Sequence, residues 1–520
     1  MTFAPTAEAP AALRTQVGDW LAAHAAPGAD LRIDSRAVAP GDIFLALPGR
    51  RVDGLQFLDD AVRRGAAAAL ADAQAWAGRA AGDCAVPLLP VPRLADMAAA
   101  LASDHYGNPS AQLQSIGITG TNGKTSSCQW IGQVLSACGR PCATLGTLGF
   151  GPAGALDATQ SALTTPDAVN LQRLARRALD EGARALATEV SSIALDQGRV
   201  AGFSFHLALF TNLTRDHLDY HPDMAAYGKA KRRLFDWPTL DAAVLNVDDP
   251  AGRQWAAELC AAGHPPRVIA IGTGAHVAQC GTAWLRAEAI EHHPDGLRFT
   301  VRAGGPAAGP AVAVRTALLG GFNVHNLLGV LGVAWAGGIA LPEAAAALGG
   351  LPPPPGRLQR VGTDLPQHAG PRVIVDYAHT PDAIAQALQA LRPLALARGG
   401  ALVIVFGAGG DRDPGKRPLM AAAAAAADRI VLTSDNPRGE EPGTIIDQLA
   451  AGLPPGAAWV READRARAIE RALGEAAAAD VVLIAGKGHE AYQEIAGRRL
   501  PFSDADCAAA ALRRRVGGNA

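Results

Sequence analysis

Short apolar runs, bounded by glycine, proline and polar clusters, alternate along the chain with segments of helical pattern. Runs at 42–47 and 68–70 read as strands of a first region. Runs at 114–119, 185–190, 207–211 and 242–246 belong to a second, and runs at 372–375, 401–406, 429–433 and 480–485 to a third. Strands separated by helical segments predict βαβ units and a mostly parallel sheet. Alanine tracts at 98–102, 344–347, 421–427 and 476–479 read as helices, because alanine is the best helix former and apolar residues flank each tract. The segment Leu351-Pro-Pro-Pro-Pro-Gly356 breaks the pattern. Four consecutive prolines fit neither a helix interior nor a central strand, so a stiff linker or turn is expected there. The pattern predicts an α/β protein of three domains, at 1–107, 108–350 and 351–520.

Composition narrows the class. The 520 residues suffice for about three domains at roughly 100–200 residues each. A net charge of -2 gives no basic face for nucleic acid. The seven cysteines are odd in number, and Cys138 and Cys142 have no second Cys/His pair nearby to complete a zinc set, so all are expected as reduced thiols. The N-terminus shows no basic segment followed by an apolar core, and no charge-free apolar run reaches 18 residues. A cytoplasmic protein without membrane insertion is expected, and a monomer.

The strongest local motif is Gly117-Ile-Thr-Gly120-Thr121-Asn122-Gly123-Lys124-Thr125, a strand running into a glycine-rich turn with a helix expected from about Ser126. Glycines let backbone N–H groups close round phosphate oxygens, and the helix N-terminus adds partial positive charge. Lys124 is placed to reach the β- and γ-phosphates, and Thr125 to hold Mg²⁺ through its hydroxyl. A P-loop of the usual kind has glycine where Ile118 stands. The loop says nucleoside triphosphate, without separating kinase, GTPase, ATPase and ligase.

Further polar clusters close the strands that follow. They are Thr188-Glu189-Val-Ser191-Ser192, Thr211-Asn212-Leu-Thr-Arg215-Asp216-His217, and the basic run Lys229, Lys231, Arg232, Arg233 on an expected helix. Ligands of open α/β sheets bind outside the carboxyl ends of strands, so these clusters are candidates to converge on the loop. Glu189 offers an oxygen ligand suited to Mg²⁺. The plainer alternatives are a surface acid, a loop histidine and a solvated helix face.

Taken together, the motifs resemble the Mur ligase family over nearly the whole chain. In the first domain the carriers are Asp34-Ser-Arg36, Gly41-Asp42-Ile-Phe44 and Asp53-Gly54. In the centre they are Gly120–Thr125, Thr164-Thr165-Pro-Asp167, Glu189-Val-Ser-Ser192, the Thr211 to His217 segment and Gly321-Phe-Asn323-Val-His-Asn326. In the last domain they are Gly356-Arg357-Leu-Gln359, Asp376-Tyr-Ala-His-Thr-Pro-Asp382, Gly409-Gly-Asp-Arg412-Asp and Gly486-Lys-Gly-His-Glu490. The resemblance implies a small α/β uridine-binding domain, a central P-loop ATPase domain and a Rossmann-like ligase domain that binds the amino acid. It implies an ADP-forming amide ligase in peptidoglycan precursor synthesis, using ATP and Mg²⁺. The acceptor carboxylate becomes an acyl phosphate that an amine then attacks, and catalysis is mostly positioning and charge neutralisation.

By the same resemblance Gly120, Thr121, Asn122, Gly123, Lys124, Thr125, Ser126, Asn323 and Arg357 face ATP. Lys124, Glu189, His217 and Lys231 form the catalytic and metal set with Thr125. Lys231 matches the family's carbamylated lysine (N6-carboxylysine), with Lys229 as the competitor; carbamylation converts a cation into a metal ligand and requires a desolvated, neutral amine. Ile33, Ser35, Arg50, Arg51, Val52, Thr164, Thr165, Ser191, Gln197 and Arg199 match positions that bind UDP-N-acetylmuramoyl-L-alanyl-D-glutamate.

The tetrad Asp435-Asn436-Pro437-Arg438 resembles the members that add meso-diaminopimelate, while lysine-adding members lack a cation at the fourth place. A guanidinium binds the second carboxylate bidentately and is left unpaired by lysine, at about 1.5–3 kcal/mol for a charge-assisted bond. Arg412, Gly486 and Glu490 complete the expected pocket. Ala408 stands where cysteine is more usual, and Ala491 where an acid is common. The alternatives are a lysine-adding ligase, a folate polyglutamate ligase or a P-loop module without ligase activity. Closure of the last domain, bringing Arg412 and Arg438 over the acyl phosphate, is a further expectation.

Overall fold

A computed structural model describes residues 11–49, 52–160, 163–262, 266–293, 295–305, 309–363 and 370–517. Arg50 and Arg51 lie outside the described residues. The chain forms two compact units, residues 1–119, 135–208 and 230–241 in the first and residues 120–134, 209–229 and 242–520 in the second.

The first unit opens with a wholly parallel sheet in the order β1 (Leu31–Arg32), β2 (Ile43–Ala46), β3 (Ala68–Asp72), β4 (Leu88–Val91). Alternate residues of these strands feed opposite cores: Ile43, Leu45 and Leu70 pack with the helix Leu94–His105, and Phe44, Ala46 and Ala69 pack with Leu58 and Trp76. The unit continues with β5 (Gln114–Thr119), β6 (Cys142–Gly146), β7 (Gly149–Pro152) and β8 (Ala185–Glu189), in which β8 lies between β5 and β6, parallel to both, and β7 pairs antiparallel with β6. The strand β9 (Leu207–Phe210) carries the chain towards the second unit.

In the second unit β10 (Ala242–Asn246), β11 (Arg267–Gly272) and the start of β12 (Ala283–His293) run parallel. The antiparallel strands β13 (Gly296–Gly304) and β14 (Val312–Thr316) follow. The helix Phe322–Ala336 is buried along almost its whole length, as its nearly uninterrupted apolar sequence requires. After the proline segment come β15 (Gln359–Val361), β16 (Arg372–Asp376), β17 (Leu402–Phe406), β18 (Arg429–Leu432), β19 (Trp459–Arg461) and β20 (Val481–Ala485). They form one sheet in the order β15-β16-β20-β17-β18-β19, parallel except for β15 at its edge. Both faces are covered: Ile374, Ile404, Phe406, Leu432 and Leu483 point to one core, and Val373, Val403, Val405, Val431 and Ile484 to the other. Two buried faces explain strands that are apolar at every position. A hairpin, β21 (Tyr492–Ile495) with β22 (Arg498–Pro501), precedes the last helix, Asp504–Gly517.

The structure departs from two local expectations. Residues 476–479 are not helical; the helix Arg465–Glu475 stops with Ala476 extended (φ −72°, ψ 138°). Asp480 there accepts from Ala477 N (2.8 Å) and Ala401 N (2.8 Å) and pairs with Arg429, so the tract is spent on the turn into β20. Tertiary fixing of that turn overrides alanine's propensity. The alanine tract at 421–427 is helical only to Ala424. All seven cysteines are free thiols.

Candidate functional site

The glycine loop lies at the end of β5. Gly120 (φ 148°) and Gly123 (φ 87°) adopt conformations that favour glycine, and space forbids anything larger. A Cβ on Gly120 would sit 1.8 Å from Thr211 Oγ1, and one on Gly123 2.3 Å from Asn326 Oδ1. The helix starts at Lys124, two residues before the expected Ser126, because the left-handed Gly123 turns the chain straight into its first turn; Ser127 N already donates to Gly123 O (2.9 Å). Lys124 Nζ lies back over the loop, donating to Gly120 O and Thr121 O (2.9 Å each).

The segment after β9 braces this loop. Thr121 N donates to Asn212 O (2.8 Å), Asn122 N to Asn212 Oδ1 (2.9 Å), Thr211 Oγ1 to Asn122 O (2.6 Å) and Thr214 N to Thr121 Oγ1 (3.0 Å). Thr211, Asn212 and Thr214 are therefore structural partners of the loop, a role that the sequence reading did not assign. Their signal was a run of short hydrogen-bonding side chains at a strand end. His217 has a left-handed backbone (φ 54°), is about one-third exposed, and stands 3.6 Å from Asp216 Oδ2.

Residues of the last segment reach the same loop. Arg357 Nη2 donates to Thr125 Oγ1 (3.2 Å) while its guanidinium stacks on Tyr377, 4.4 Å from the ring centroid. Asn122 Nδ2 donates to Asp382 Oδ2 (3.1 Å). His379 Nε2 stands 3.9 Å from Asp216 Oδ2, and Lys416 Nζ stands 3.9 Å from Asp216 Oδ1. Burial alone would raise the Asp216 carboxyl, but His217, His379 and Lys416 pull it well below the usual carboxylate range. Asn323 Nδ2 donates to Leu319 O (2.7 Å), and Asn326 Nδ2 to Asn323 Oδ1 (2.9 Å), which orients the helix Phe322–Ala336 beside Gly123.

A second cluster occupies the first unit. Thr165 Oγ1 donates to Glu189 O (2.8 Å) and accepts from Ser191 N (3.1 Å); Ser191 Oγ caps the helix Ser192–Asp196 by accepting from Ala194 N (3.1 Å). Arg199 Nη1 reaches Thr165 O (3.3 Å), and its Nε donates to Gln197 Oε1 (2.8 Å). Thr164 Oγ1 lies 3.2 Å from Thr147 Oγ1, and Thr147 N donates to Glu189 Oε1 (2.9 Å). Five expected nucleotide-side residues thus come together with Glu189. Thr147, the link between them, was not foreseen. Gly146 is obligatory beside it, since a Cβ would sit 2.2 Å from Glu189 Oε1. Ile33 and Ser35 follow β1 in the chain, where Asp34 caps the short helix Ser35–Ala37 by accepting from Arg36 N. Val52 is exposed.

The basic run resolves sharply. Lys231 is 1% exposed, whereas Lys229 is exposed. Among the described residues no group of three or more His, Cys, Asp or Glu is placed to hold a metal by itself. The hydroxyl of Thr125 and the carboxylate of Glu189 are hard oxygen donors of the kind Mg²⁺ accepts, and that ion ordinarily keeps waters and substrate phosphates in its shell.

A third cluster lies where β17, β18 and β20 end, the edge at which parallel sheets bind ligands. Asn436, 3% exposed, donates from Nδ2 to Glu490 Oε2 (2.8 Å). Arg438 (φ 51°) donates from Nη1 to Gly410 O (2.7 Å) and has its Nε 3.7 Å from Glu494 Oε2. Gly486 (φ 116°) has no room for a Cβ, which would lie 2.3 Å from Asp435 Oδ2. Arg412 Nη1 donates to Asp219 Oδ2 (3.2 Å). Arg417 pairs bidentately with Glu440 (2.7 and 2.8 Å) and holds that carboxyl down at about 2. Beneath the cluster Arg465 and Asp504 form a wholly buried ion pair. Arg465, Asp504 and Arg417 carry no motif of their own and were not foreseen as neighbours of the site.

The chain matches the Mur ligase family's catalytic domain over residues 30–106, its middle domain over 118–334 and its glutamate ligase domain over 356–488. It is 48% identical over 509 residues to a UDP-N-acetylmuramoyl-L-alanyl-D-glutamate--2,6-diaminopimelate ligase of Janthinobacterium sp. (strain Marseille), covering 96% of each chain. The chain belongs to the Mur ligase family. Another relative of the same name, from Acidovorax sp. (strain JS42), is 47% identical over 96% of this chain and 97% of its own. Among solved structures, a ligase of that name superposes at a TM-score of 0.62 with 33% identity, over 94% of this chain and 95% of its own. The MurF ligase from Thermotoga maritima in complex with ADP reaches 0.64 over 95% and 99% at 17% identity, a likeness of fold alone. The three-domain, mixed α/β architecture with parallel sheets expected from the motifs is that of Mur ligase structures.

Proposed function

We propose that this Mur ligase joins UDP-N-acetylmuramoyl-L-alanyl-D-glutamate to meso-diaminopimelate, with cleavage of ATP to ADP and phosphate, in peptidoglycan precursor synthesis. The observation that carries this reading is near-full-length identity of 45–48% to relatives bearing that ligase name, joined to an Asp435-Asn436-Pro437-Arg438 loop at the end of β18. A carboxylate oxygen of the acceptor attacks the γ-phosphorus and ADP leaves. The amine nitrogen then attacks the acyl carbon, having given its proton to solvent, and phosphate leaves from the tetrahedral adduct. Both steps are accelerated by holding reactants in line and neutralising charge.

Gly120 to Ser126, Asn323 and Arg357 are read as the ATP site, with Lys124 on the terminal phosphates. Mg²⁺ offsets phosphate charge when bound, and Thr125, Glu189, His217 and a carbamate on Lys231 are the residues read as its holders. Burial of Lys231 supports the carbamate, since removing an ammonium from water favours the neutral amine that adds CO₂. Ile33, Ser35, Val52, Thr164, Thr165, Ser191, Gln197 and Arg199 are read as the nucleotide-sugar side, with Arg50 and Arg51. Arg412, Asp435 to Arg438, Gly486 and Glu490 are read as the amino-acid pocket, where Arg438 answers the distal carboxylate. Domain limits of 1–107, 108–350 and 351–520 are kept, each matched family segment falling inside one. No helix among the described residues is long and apolar enough to cross a membrane. A monomer in the cytoplasm is the accompanying reading.

The test is phosphate release with ATP, Mg²⁺ and the UDP-muramoyl dipeptide, comparing meso-diaminopimelate with L-lysine. Release with diaminopimelate alone is expected. Equal release with lysine would overturn the assigned specificity, and release with neither would overturn the ligase assignment.

A further inference from the structure

The motif Gly486-Lys487-Gly488-His489-Glu490 contains a lysine to which no role has fallen so far. Lys487 is 0% exposed, on the loop that leaves β20. Its ammonium donates to Asn436 Oδ1 (3.0 Å) and to Glu490 Oε2 (2.9 Å), and stands 5.6 Å from the centroid of the Tyr492 ring. The backbone N–H of Glu494 donates to the same Asn436 oxygen (2.9 Å). Neither the ammonium nor that N–H can accept a hydrogen bond, so the Asn436 amide has one orientation only. Its Nδ2 must then face Glu490, where it donates to Oε2 (2.8 Å). Oε2 accepts from two donors, which leaves Oε1 as the carboxylate oxygen with capacity for a further cation. Asn436 Nδ2 likewise keeps a second N–H.

We propose that Lys487 is a positioning residue for the amino-acid substrate: from beneath the pocket it locks the Asn436 amide and the Glu490 carboxylate so that one N–H and one carboxylate oxygen are offered together to the α-carboxylate and α-ammonium of the incoming amino acid. The proposal rests on the reading of this cluster as the amino-acid pocket. Without Lys487 the Asn436 oxygen keeps only the Glu494 N–H as a donor, so the amide is held less firmly, and Glu490 loses the buried cation that holds one oxygen inward. Pocket groups fixed by their own partners cost the ligand less ordering on binding. The effect therefore falls on the amino acid and spares the other two substrates.

The experiment compares the parent enzyme with Lys487→Met and Lys487→Arg, varying ATP, the UDP-muramoyl dipeptide and the amino acid in turn. Lys487→Met is expected to raise KM for the amino acid by about 10- to 100-fold, with KM for ATP and for the dipeptide within about twofold of the parent. Lys487→Arg, which keeps a cationic donor, is expected to recover part of the loss. In the background of Glu490→Gln, Lys487→Met is expected to add little, because the pair it organises is already broken. An unchanged amino-acid KM, a rise shared equally by all three substrates, or effects additive with Glu490→Gln would overturn the proposal. Lys487→Gln is measured on the same axes if the Met variant does not accumulate folded. Calorimetric titration of the amino acid into parent and variant reads the same ratio as Kd. Absence of amino-acid-dependent turnover in the parent would thus count against the functional reading, while an unchanged Kd counts against Lys487.

Discussion

Replacing Asp504 with asparagine should loosen the amino-acid pocket from below while leaving every pocket side chain in place. Arg465 Nε and Nη2 donate to the two oxygens of Asp504 at 2.7 Å each, and both side chains are 0% exposed. The remaining guanidinium donors reach Ser434 O (3.1 Å), just before Asp435, and Ala485 O (2.9 Å), just before Gly486. The pair thus ties the ends of β18 and β20 to the helices Arg465–Glu475 and Asp504–Gly517. Removing one partner leaves a buried charge uncompensated, which costs about 3–5 kcal/mol. Replacing both, as in Arg465→Met with Asp504→Leu, removes the charges together. It then costs about 1–3 kcal/mol for each carbonyl left without its donor, offset by apolar packing. The double variant should therefore be no worse than Asp504→Asn. Amide hydrogen exchange followed by mass spectrometry reads this locally, which suits a chain of several domains better than a single melting point. At 1.36 kcal/mol per tenfold, a loss of about 3 kcal/mol speeds exchange about 150-fold in peptides covering 429–436 and 481–490. Exchange in those peptides within about fivefold of the parent, or single losses that add in the double variant, would refute the reasoning.

Lys231→Ala should abolish ligation, with partial rescue by short carboxylic acids at high concentration, while Lys229→Ala, on an exposed side chain, should keep close to parental turnover; equal loss in both would place the carbamate elsewhere. Acid stability should depend on His489, which burial, with Arg357 and Lys487 nearby, pushes down to about 3. The unfolded chain takes up that proton first, so the contribution is complete above about 6.5 and is lost between about 6.5 and 3, at up to about 1.4 kcal/mol per pH unit. Denaturation midpoints followed between pH 4 and 7 should fall less steeply for His489→Gln than for the parent, and parallel curves would exclude the effect.

Much of this protein is determined locally. The strands Leu402–Phe406 and Val481–Ala485 stand where the apolar runs at 401–406 and 480–485 place them, because a parallel strand covered on both faces is apolar throughout. The glycine loop is equally local, since Gly120 and Gly123 take conformations that other residues avoid. What lies beneath and beside the motifs was decided only by tertiary structure. Nothing in the order Lys229, Lys231 says which ammonium is buried; the packing of the helix Met224–Arg232 decides it. The alanines at 476–479 carry helical propensity, yet Asp480 and Arg429 hold them in a turn. Arg465 and Asp504 are 39 residues apart and belong to no motif, and only the folded sheet brings them under one pocket. A pattern of apolar residues reports which face is buried. It does not report which distant charge will be buried against it, because that pairing depends on how the strand ends and helices meet in space.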